Sequence, residues 1–323
     1  SPHPPGAAMC YGFDGRRALD HSLAHRGTSR RSLLRGTLAG LAGAGALAAG
    51  IGLPAAHAAG RPTGRPVVPP GLIGIQLYTL RSVLGGANFE PGLRELAGIG
   101  YRRVELAGLS GRPAADVRAL LDDIGLAATS AHEGLSSTPA ALETKIADAV
   151  TLGQSHLVVP YLASAGRAQW QAWAEQINRE AEAARAAGLC YGYHNHAHEW
   201  TTDLGGGVTP WDVLTAECDP RLVHLEIDLY WVVTAAVQLG ESDPEGFAID
   251  VIRDAPQRVL QFHVKDRAAG NGATADLGTG VIDFPRIFRA HSPREYIVEN
   301  DNPELNPMHT ARVGYSYLRG LRY

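Results

Sequence analysis

The chain has 323 residues, a formal net charge of −4 and 45% apolar side chains, enough to bury a sizeable core. Setting aside the six arginines and two acids of residues 1–58 leaves 23 basic against 31 acidic side chains, a net of about −8. An acidic body excludes a basic nucleic-acid surface. Beyond residue 58 no apolar run is long enough to span a bilayer, so membrane contact is expected only during export.

Residues 1–58 read as an export leader. Ser29-Arg30-Arg31-Ser32-Leu33-Leu34-Arg35 is a twin-arginine motif, an Ala/Gly/Leu-rich stretch follows from Leu38 to Leu53, and Ala56-His57-Ala58 supplies an A-x-A cleavage site. This predicts Tat export to the periplasm or the cell exterior. Residue 1 is not Met, so the true start is left open. Residues 59–70 are rich in Pro and Gly and read as a linker, and 71–323 is the expected folded domain. Cys10 falls in the leader. For Cys190 and Cys218, a disulfide and two buried thiols both stand open, as does assembly into a homo-oligomer.

From Leu72 an apolar strand followed by a helical segment recurs through the chain. The strands are LIGIQLYTL from Leu72, Tyr101–Gly108, Leu126–His132, SHLVVPYL from Ser155, the stretch Tyr191–Trp200, RLVHLEIDLYW from Arg221, RVLQFHVKD from Arg258 and EYIVEND from Glu295. Between them run helical segments at 91–100, Pro113–Ile124, Pro139–Leu152, Arg167–Ala187, Trp211–Ala216, Pro244–Asp254 and Phe284–Ala290, with a last one at Met308–Leu318. The segment from Arg167 carries Trp170, Trp173, Ile177 and Ala181 at helical spacing, and Gly188 is its expected terminator. Eight strand–helix units in about 250 residues predict a closed (β/α)8 TIM barrel. A doubly wound open sheet fits less well, because no G-x-G-x-x-G follows the first strand.

In such a barrel the chemistry sits at the C-terminal ends of the strands. Reading those ends in order gives Gln76 and Tyr78, Glu105, His132, His194 and His196, Glu226 and Asp228, His263 and Lys265, and Glu299 and Asp301. Alternate residues of a strand share a face, so the last four pairs are each expected on one side. Charges inside a barrel are costly unless paired or bound to metal. Four successive strands ending this way therefore predict a divalent metal site, and mixed His and carboxylate donors suit Mn, Zn, Fe or Co better than Ca. Whether His194 or His196 is the first ligand is open at this point. Lys265 is one of two lysines, with Lys145, against 27 arginines. It is either a base, which lysine can become when desolvated, or the ion-pair partner of Asp266 or Glu299.

The chain resembles the sugar phosphate isomerase/epimerase family, the xylose isomerase-like TIM barrels that include tagatose epimerases, hydroxypyruvate isomerases and inosose dehydratases. The resemblance covers Leu72 to Tyr323. It is carried by IGIQLYTLR at 73–81, YRRVEL at 101–106, YHNHAHEW at 193–200, LEIDLYW at 225–231, FHVKD at 262–266, DLGTG at 276–280 and YIVEND at 296–301. It implies one divalent ion (Mn, Zn, Co, Mg or Fe) held by residues of the fifth to eighth strands: Asp228, His263 and Glu299, with His194 where many members carry glutamate. It also implies proton transfer through an enediolate, with Glu299 and His194 as candidate bases and Lys265 or Glu105 as complements. Gln76, Tyr78, His132, His196, Glu226, Trp231 and Asp301 are the expected substrate contacts.

The expected function is an exported, metal-dependent isomerase or epimerase acting on a non-phosphorylated sugar or keto-sugar. The alternative is a metal-dependent lyase or hydrolase, dehydratase-like, on 3-keto-glycosides or inososes. A non-catalytic sugar-binding barrel is disfavoured because four convergent polar pairs exceed what binding needs. An endonuclease IV-like DNA-repair enzyme is disfavoured by the acidic charge and by too few ligands for three metals.

Overall fold

A computed structural model describes residues 64–303 and 305–323; the twin-arginine leader lies outside the described residues. Eight parallel strands close into a barrel: β1 (Ile73–Gln76), β2 (Arg103–Leu106), β3 (Ala127–His132), β4 (His156–Val159), β5 (Cys190–His194), β6 (Val223–Asp228), β7 (Arg258–Val264) and β8 (Glu295–Val298). Each strand pairs with its sequence neighbour, and β1 closes the ring between β8 and β2. This is the α/β TIM barrel expected from the repeat of strand and helix.

The surrounding helices are α1 (Phe89–Ile99), α2 (Ala114–Ile124), α3 (Pro139–Leu152), α4 (Arg167–Ala186), α5 (His198–Thr201), α6 (Pro210–Glu217), α7 (Leu229–Leu239), α8 (Pro244–Asp254), α9 (Phe284–Ala290) and α10 (Pro307–Gly320). Local chemistry sets their ends. Thr138 caps α3 by accepting from the Ala141 amide ahead of Pro139, and Thr209 with Asp212 forms a capping box on α6. Gly153 ends α3 at φ 72°, a left-handed conformation that glycine adopts without penalty. Helix α4 buries Trp170, Ala174, Ile177, Ala181 and Ala184, a stripe at spacings of three and four that packs on the barrel.

Several strands end earlier than the apolar pattern predicts. β6 stops at Asp228, and Leu229, Tyr230 and Trp231 open α7 instead. The cause is the Asp228 side chain, which accepts from the Trp231 amide at 2.9 Å and caps the helix. β5 (Cys190–His194) ends at the fourth residue of the stretch Tyr191–Trp200, and the residues from His198 to Thr201 form a helical turn. His196 therefore follows the strand rather than lying in it, and strand alternation does not govern which way it points.

Within the stretch read as a linker, Val67 and Val68 are buried. The Val67 amide donates to the Leu321 carbonyl and the Tyr323 amide to the Arg65 carbonyl, both at 3.1 Å. These bonds tie residues 65–67 to the end of the chain. Cys218 is a buried free thiol, pushed up to about 12 by burial and by Glu217, so it does not pair with Cys190. No described helix is long and apolar enough to cross a membrane.

Candidate metal and catalytic site

The polar strand ends converge inside the C-terminal mouth of the barrel, on two levels. The outer level takes His194 from the end of β5, Asp228 from the end of β6, His263 from β7 and Glu299 from just beyond β8. Their potential ligand atoms all lie within 4.8 Å of one another, and all four residues are buried. Asp228 pairs in register with His263 across β6 and β7, which brings the middle two together.

The unsatisfied atoms of this quartet fit a cation. His194 Nδ1 faces the Pro160 carbonyl at 3.1 Å, so a neutral ring carries its proton there and leaves the Nε2 lone pair free. Nε2 is buried without a hydrogen-bond partner and lies 3.5 Å from Asp228 Oδ2, which also lacks one. Buried polar atoms are nearly always satisfied; the His194 nitrogen is an exception, and beside it Asp228 Oδ2 is balanced only by the Lys265 ammonium, so a lone-pair nitrogen and a carboxylate oxygen, both donors for a divalent ion, stand side by side. His196 is outside the quartet. It packs edge-on to Tyr161 at 5.0 Å and against Trp231 at 5.2 Å, and burial and His194 push it down to about 2.

Lys265 enters the same space. Its Nζ lies 2.7 Å from Glu299 Oε2 and 2.9 Å from Asp301 Oδ2. It is also 2.9 Å from Asp228 Oδ2, an ion pair without hydrogen-bond alignment. Burial disfavours the ammonium, yet Asp228, Glu299 and Asp301 outweigh it and hold Lys265 well above the usual lysine range. The residue is a fixed cation here rather than a free base. Its partners are these three acids and not Asp266, whose carboxylate accepts from the amides of Gly278, Gly280 and Ile282.

The inner level lies one alternation deeper. Glu226 Oε1 is 2.8 Å from His132 Nε2 and 3.1 Å from His263 Nε2. Glu105 Oε1 is 2.7 Å from His263 Nε2 and accepts from Gln76 Nε2 at 2.7 Å, and its other oxygen accepts from Ser130. His132 and His263 stack with centroids 5.1 Å apart. His263 thus touches acids at both ends, since its Nδ1 is 2.9 Å from Glu299. Burial opposes its charge, but Glu226, Glu299 and Glu105 prevail and raise it well above the ordinary imidazole value. Glu299 and Glu226 are correspondingly held well below the carboxylate range: burial works against ionisation, while Lys265 and His263 favour it in the first and His263 and His132 in the second. Glu105 goes the other way, raised by burial and by Glu226.

At the rim, Tyr78 is 44% exposed beneath the Arg81 guanidinium at 4.0 Å, and Trp231 is half-buried with an unpartnered indole nitrogen. Tyr161, 54% exposed, extends the aromatic wall of His196 and Trp231. Sequence reasoning missed Tyr161, which lies past the end of β4 in a stretch without charged residues. It also missed Asn195 as a support. Asn195 Oδ1 accepts from the Asp228 amide at 3.0 Å, which straps the end of β5 to that of β6. Glu199, fully buried, accepts from the Tyr193 hydroxyl at 2.7 Å and the His196 amide at 2.9 Å. His198 lies at the edge, its Nε2 2.7 Å from the Leu162 carbonyl.

The family model for the xylose isomerase-like TIM barrel matches residues 93–314. No curated protein matches in sequence. Among solved structures, a sugar phosphate isomerase/epimerase from Parabacteroides distasonis superposes with a TM-score of 0.61 at 24% identity, covering 77% of this chain and 94% of that one. A probable 3-DHS dehydratase of petrobactin synthesis from Bacillus anthracis gives 0.57 at 12% identity, over 76% and 98%. An IOLI protein with a binding zinc atom gives 0.56 at 12%, over 76% and 95%. At these identities the likeness is one of fold.

Proposed function

The chain belongs to the xylose isomerase-like TIM barrel family, and from that premise we propose that it is a divalent-metal-dependent isomerase or epimerase of a non-phosphorylated sugar or keto-sugar. The observation that carries this reading is the buried quartet His194, Asp228, His263 and Glu299, with the unpartnered Nε2 of His194 beside the Asp228 carboxylate. These residues would hold the ion, Mn, Zn, Co, Mg or Fe. When bound, it supplies Lewis acidity to a substrate carbonyl oxygen.

The remaining work falls to side chains of this chain. Glu299 is held ionised between Lys265 and His263, so it accepts the proton from the carbon beside the carbonyl and leaves an enediolate. Return of that proton to the neighbouring carbon isomerises the sugar. Epimerisation needs delivery from the other face, for which His194 is the candidate in place of the family's glutamate. Glu105 is buried behind His263 and acts by orienting it. Lys265 supplies positive charge for the developing oxyanion. Tyr78, His196, Trp231 and Asp301 would contact substrate from the rim, with Gln76, His132 and Glu226 behind them.

One observation favours a second reading, elimination from 3-keto-glycosides or inososes. Glu299 and Lys265 stand 2.7 Å apart, a base beside an acid. Glu299 would remove the C2 proton, and Lys265 would protonate the departing C1 substituent. The probable 3-DHS dehydratase of the same fold is consistent with such chemistry. Both readings share the first proton abstraction. In D2O, the metal-loaded protein should therefore introduce deuterium beside the carbonyl of a free or 3-keto sugar, and product analysis separates isomer from eliminated aglycone. Absence of exchange across a panel of both sugar types overturns both readings.

The twin-arginine motif at Arg30-Arg31 supports export to the periplasm or the exterior. Arg30→Lys with Arg31→Lys should keep the protein in the cytoplasm; unchanged export would refute this assignment.

A further inference from the structure

Helix α3 stands away from the barrel. The face it turns to the gap carries Ala141, Thr144, Lys145, Asp148, Ala149 and Leu152, at the spacings of three and four where a helix packed on a sheet carries its apolar stripe. Of its 14 residues only Ala149 and Leu152 are buried, whereas α4 buries Trp170 and Ile177 along its own stripe. Small and polar side chains at these positions leave a cavity of about 410 Å³ between α3 and the barrel wall. That lies within the roughly 300–1,000 Å³ of small-molecule sites.

The cavity is separate from the barrel mouth. Its barrel side is Leu106, Ala131 and Leu157. Leu106 and Ala131 follow Glu105 and Ser130, which meet inside the barrel, so by strand alternation they point outward, and Leu157 pairs in register with Ala131. One edge is the loop from Glu133 to Ser137. That loop is pinned in place: the Ser136 amide donates to Glu180 Oε1 at 2.8 Å, and Gln176 Nε2 donates to the Ser136 carbonyl at 2.7 Å.

Charge in the cavity is unbalanced. The Lys145 ammonium is spent on Glu180 Oε2 at 2.9 Å and on the Gly134 carbonyl at 2.6 Å. Glu133 and Asp148 make no side-chain hydrogen bond or ion pair among the described residues. Two carboxylates are therefore left against an apolar wall, where unpaired charge is costly. Burial pushes the Glu133 carboxyl above its ordinary value; Lys145 opposes the rise and Asp148 adds to it. An independent observation points to a ligand. Gln154, 7% exposed, forms part of the wall, and its amide nitrogen has no hydrogen-bond partner. Buried amides are nearly always paired.

We propose that the gap between α3 and the barrel binds a small organic ammonium compound. Glu133 and Asp148 take its positive charge, Leu106, Leu135 and Leu157 cover its apolar body, and a hydroxyl on it meets the Gln154 amide. None of these residues belongs to the metal quartet or to the proposed proton transfers, so the site stands apart from the proposed function.

Calorimetric titration of the full chain in the presence of chelator tests this, with trans-4-aminocyclohexanol as the probe. Saturable binding is expected, while cyclohexane-1,4-diol, the neutral compound of similar shape, should show none. Asp148→Asn and Glu133→Gln should each weaken binding about tenfold. Neither carboxylate has a partner to lose, so both variants should melt with the parent. Crystals soaked with the amine should show it between α3 and Leu157. Failure of the amine to saturate, equal binding of the diol, or undiminished binding in the double variant would each overturn the proposal. Density for the amine in the barrel mouth alone would do the same.

Discussion

Lys265 Nζ lies 2.7 Å from Glu299 Oε2 inside the barrel, with Lys265 fully buried and Glu299 nearly so. The ammonium sits among the oxygens that would otherwise face one another, Asp228, Glu299 and Asp301. It neutralises these acids, and in the proposed elimination it would also be the proton donor beside the base.

Lys265→Met should separate these roles. Removing one partner of a buried ion pair leaves uncompensated charge, at a cost of about 3–5 kcal/mol. The metal-free variant should melt well below the parent, and a divalent ion should recover much of the difference by replacing the lost charge. Thermal melts with and without Mn2+ measure both. An equal loss in the two conditions would mean that the ammonium and the ion do not share this space.

The metal-free protein should be most stable near pH 6.5 and weaken in both directions. His156, His196 and His224 are pushed down to about 4, 2 and 3, in each case first by burial. Below their unfolded value of about 6.5 the unfolded chain binds protons that the fold refuses. Stability then falls as pH drops, by up to about 4 kcal/mol per unit for three groups, and the raised carboxyls Glu105 and Glu295 return part of it. His263 has the opposite sign. Its raised folded value gives stability that is fully present below about 6.5 and is lost as pH climbs toward that folded value. Urea unfolding between pH 4 and 9 in the presence of chelator gives the curve, and a monotonic rise across this range would contradict the assignment for His263.

Gly192 in the middle of β5 leaves room for the His224 ring. A Cβ at this position would lie 2.5 Å from two atoms of the imidazole, which is buried and faces His156 edge-on at 5.2 Å. Overpacking of this kind costs about 1–3 kcal/mol, so Gly192→Ala should destabilise by that amount. In Gly192→Ala/His224→Ala the clash is gone, and a double-mutant cycle should return a coupling of similar size. Additive effects would show that the ring moves aside freely.

How much of this was legible in the chain varies residue by residue. The apolar runs before Gln76 and His194 mark their strands, because a barrel strand buried on both faces has little room for polar residues before its end. The polar residues at those ends stand out for the same reason. Trp231 shows the limit. LEIDLYW reads as continuous strand, yet Asp228 caps a helix that begins at the next residue, and a side-chain hydrogen bond to the amide of residue 231 leaves no trace in an apolar pattern.

The sequence by itself determined the barrel, the four strand ends that carry its candidate ligands, and the acidic character of the body. All of these depend on local periodicity and composition. Only the tertiary structure distinguished His194, whose lone pair points into the quartet, from His196, which turns toward Tyr161 and Trp231. It alone assigned Lys265 to three carboxylates and divided the polar residues into two levels that share His263. Those outcomes depend on distances between side chains 30 to 160 residues apart, set by strand register around a closed ring, and the order of residues along one strand does not encode them.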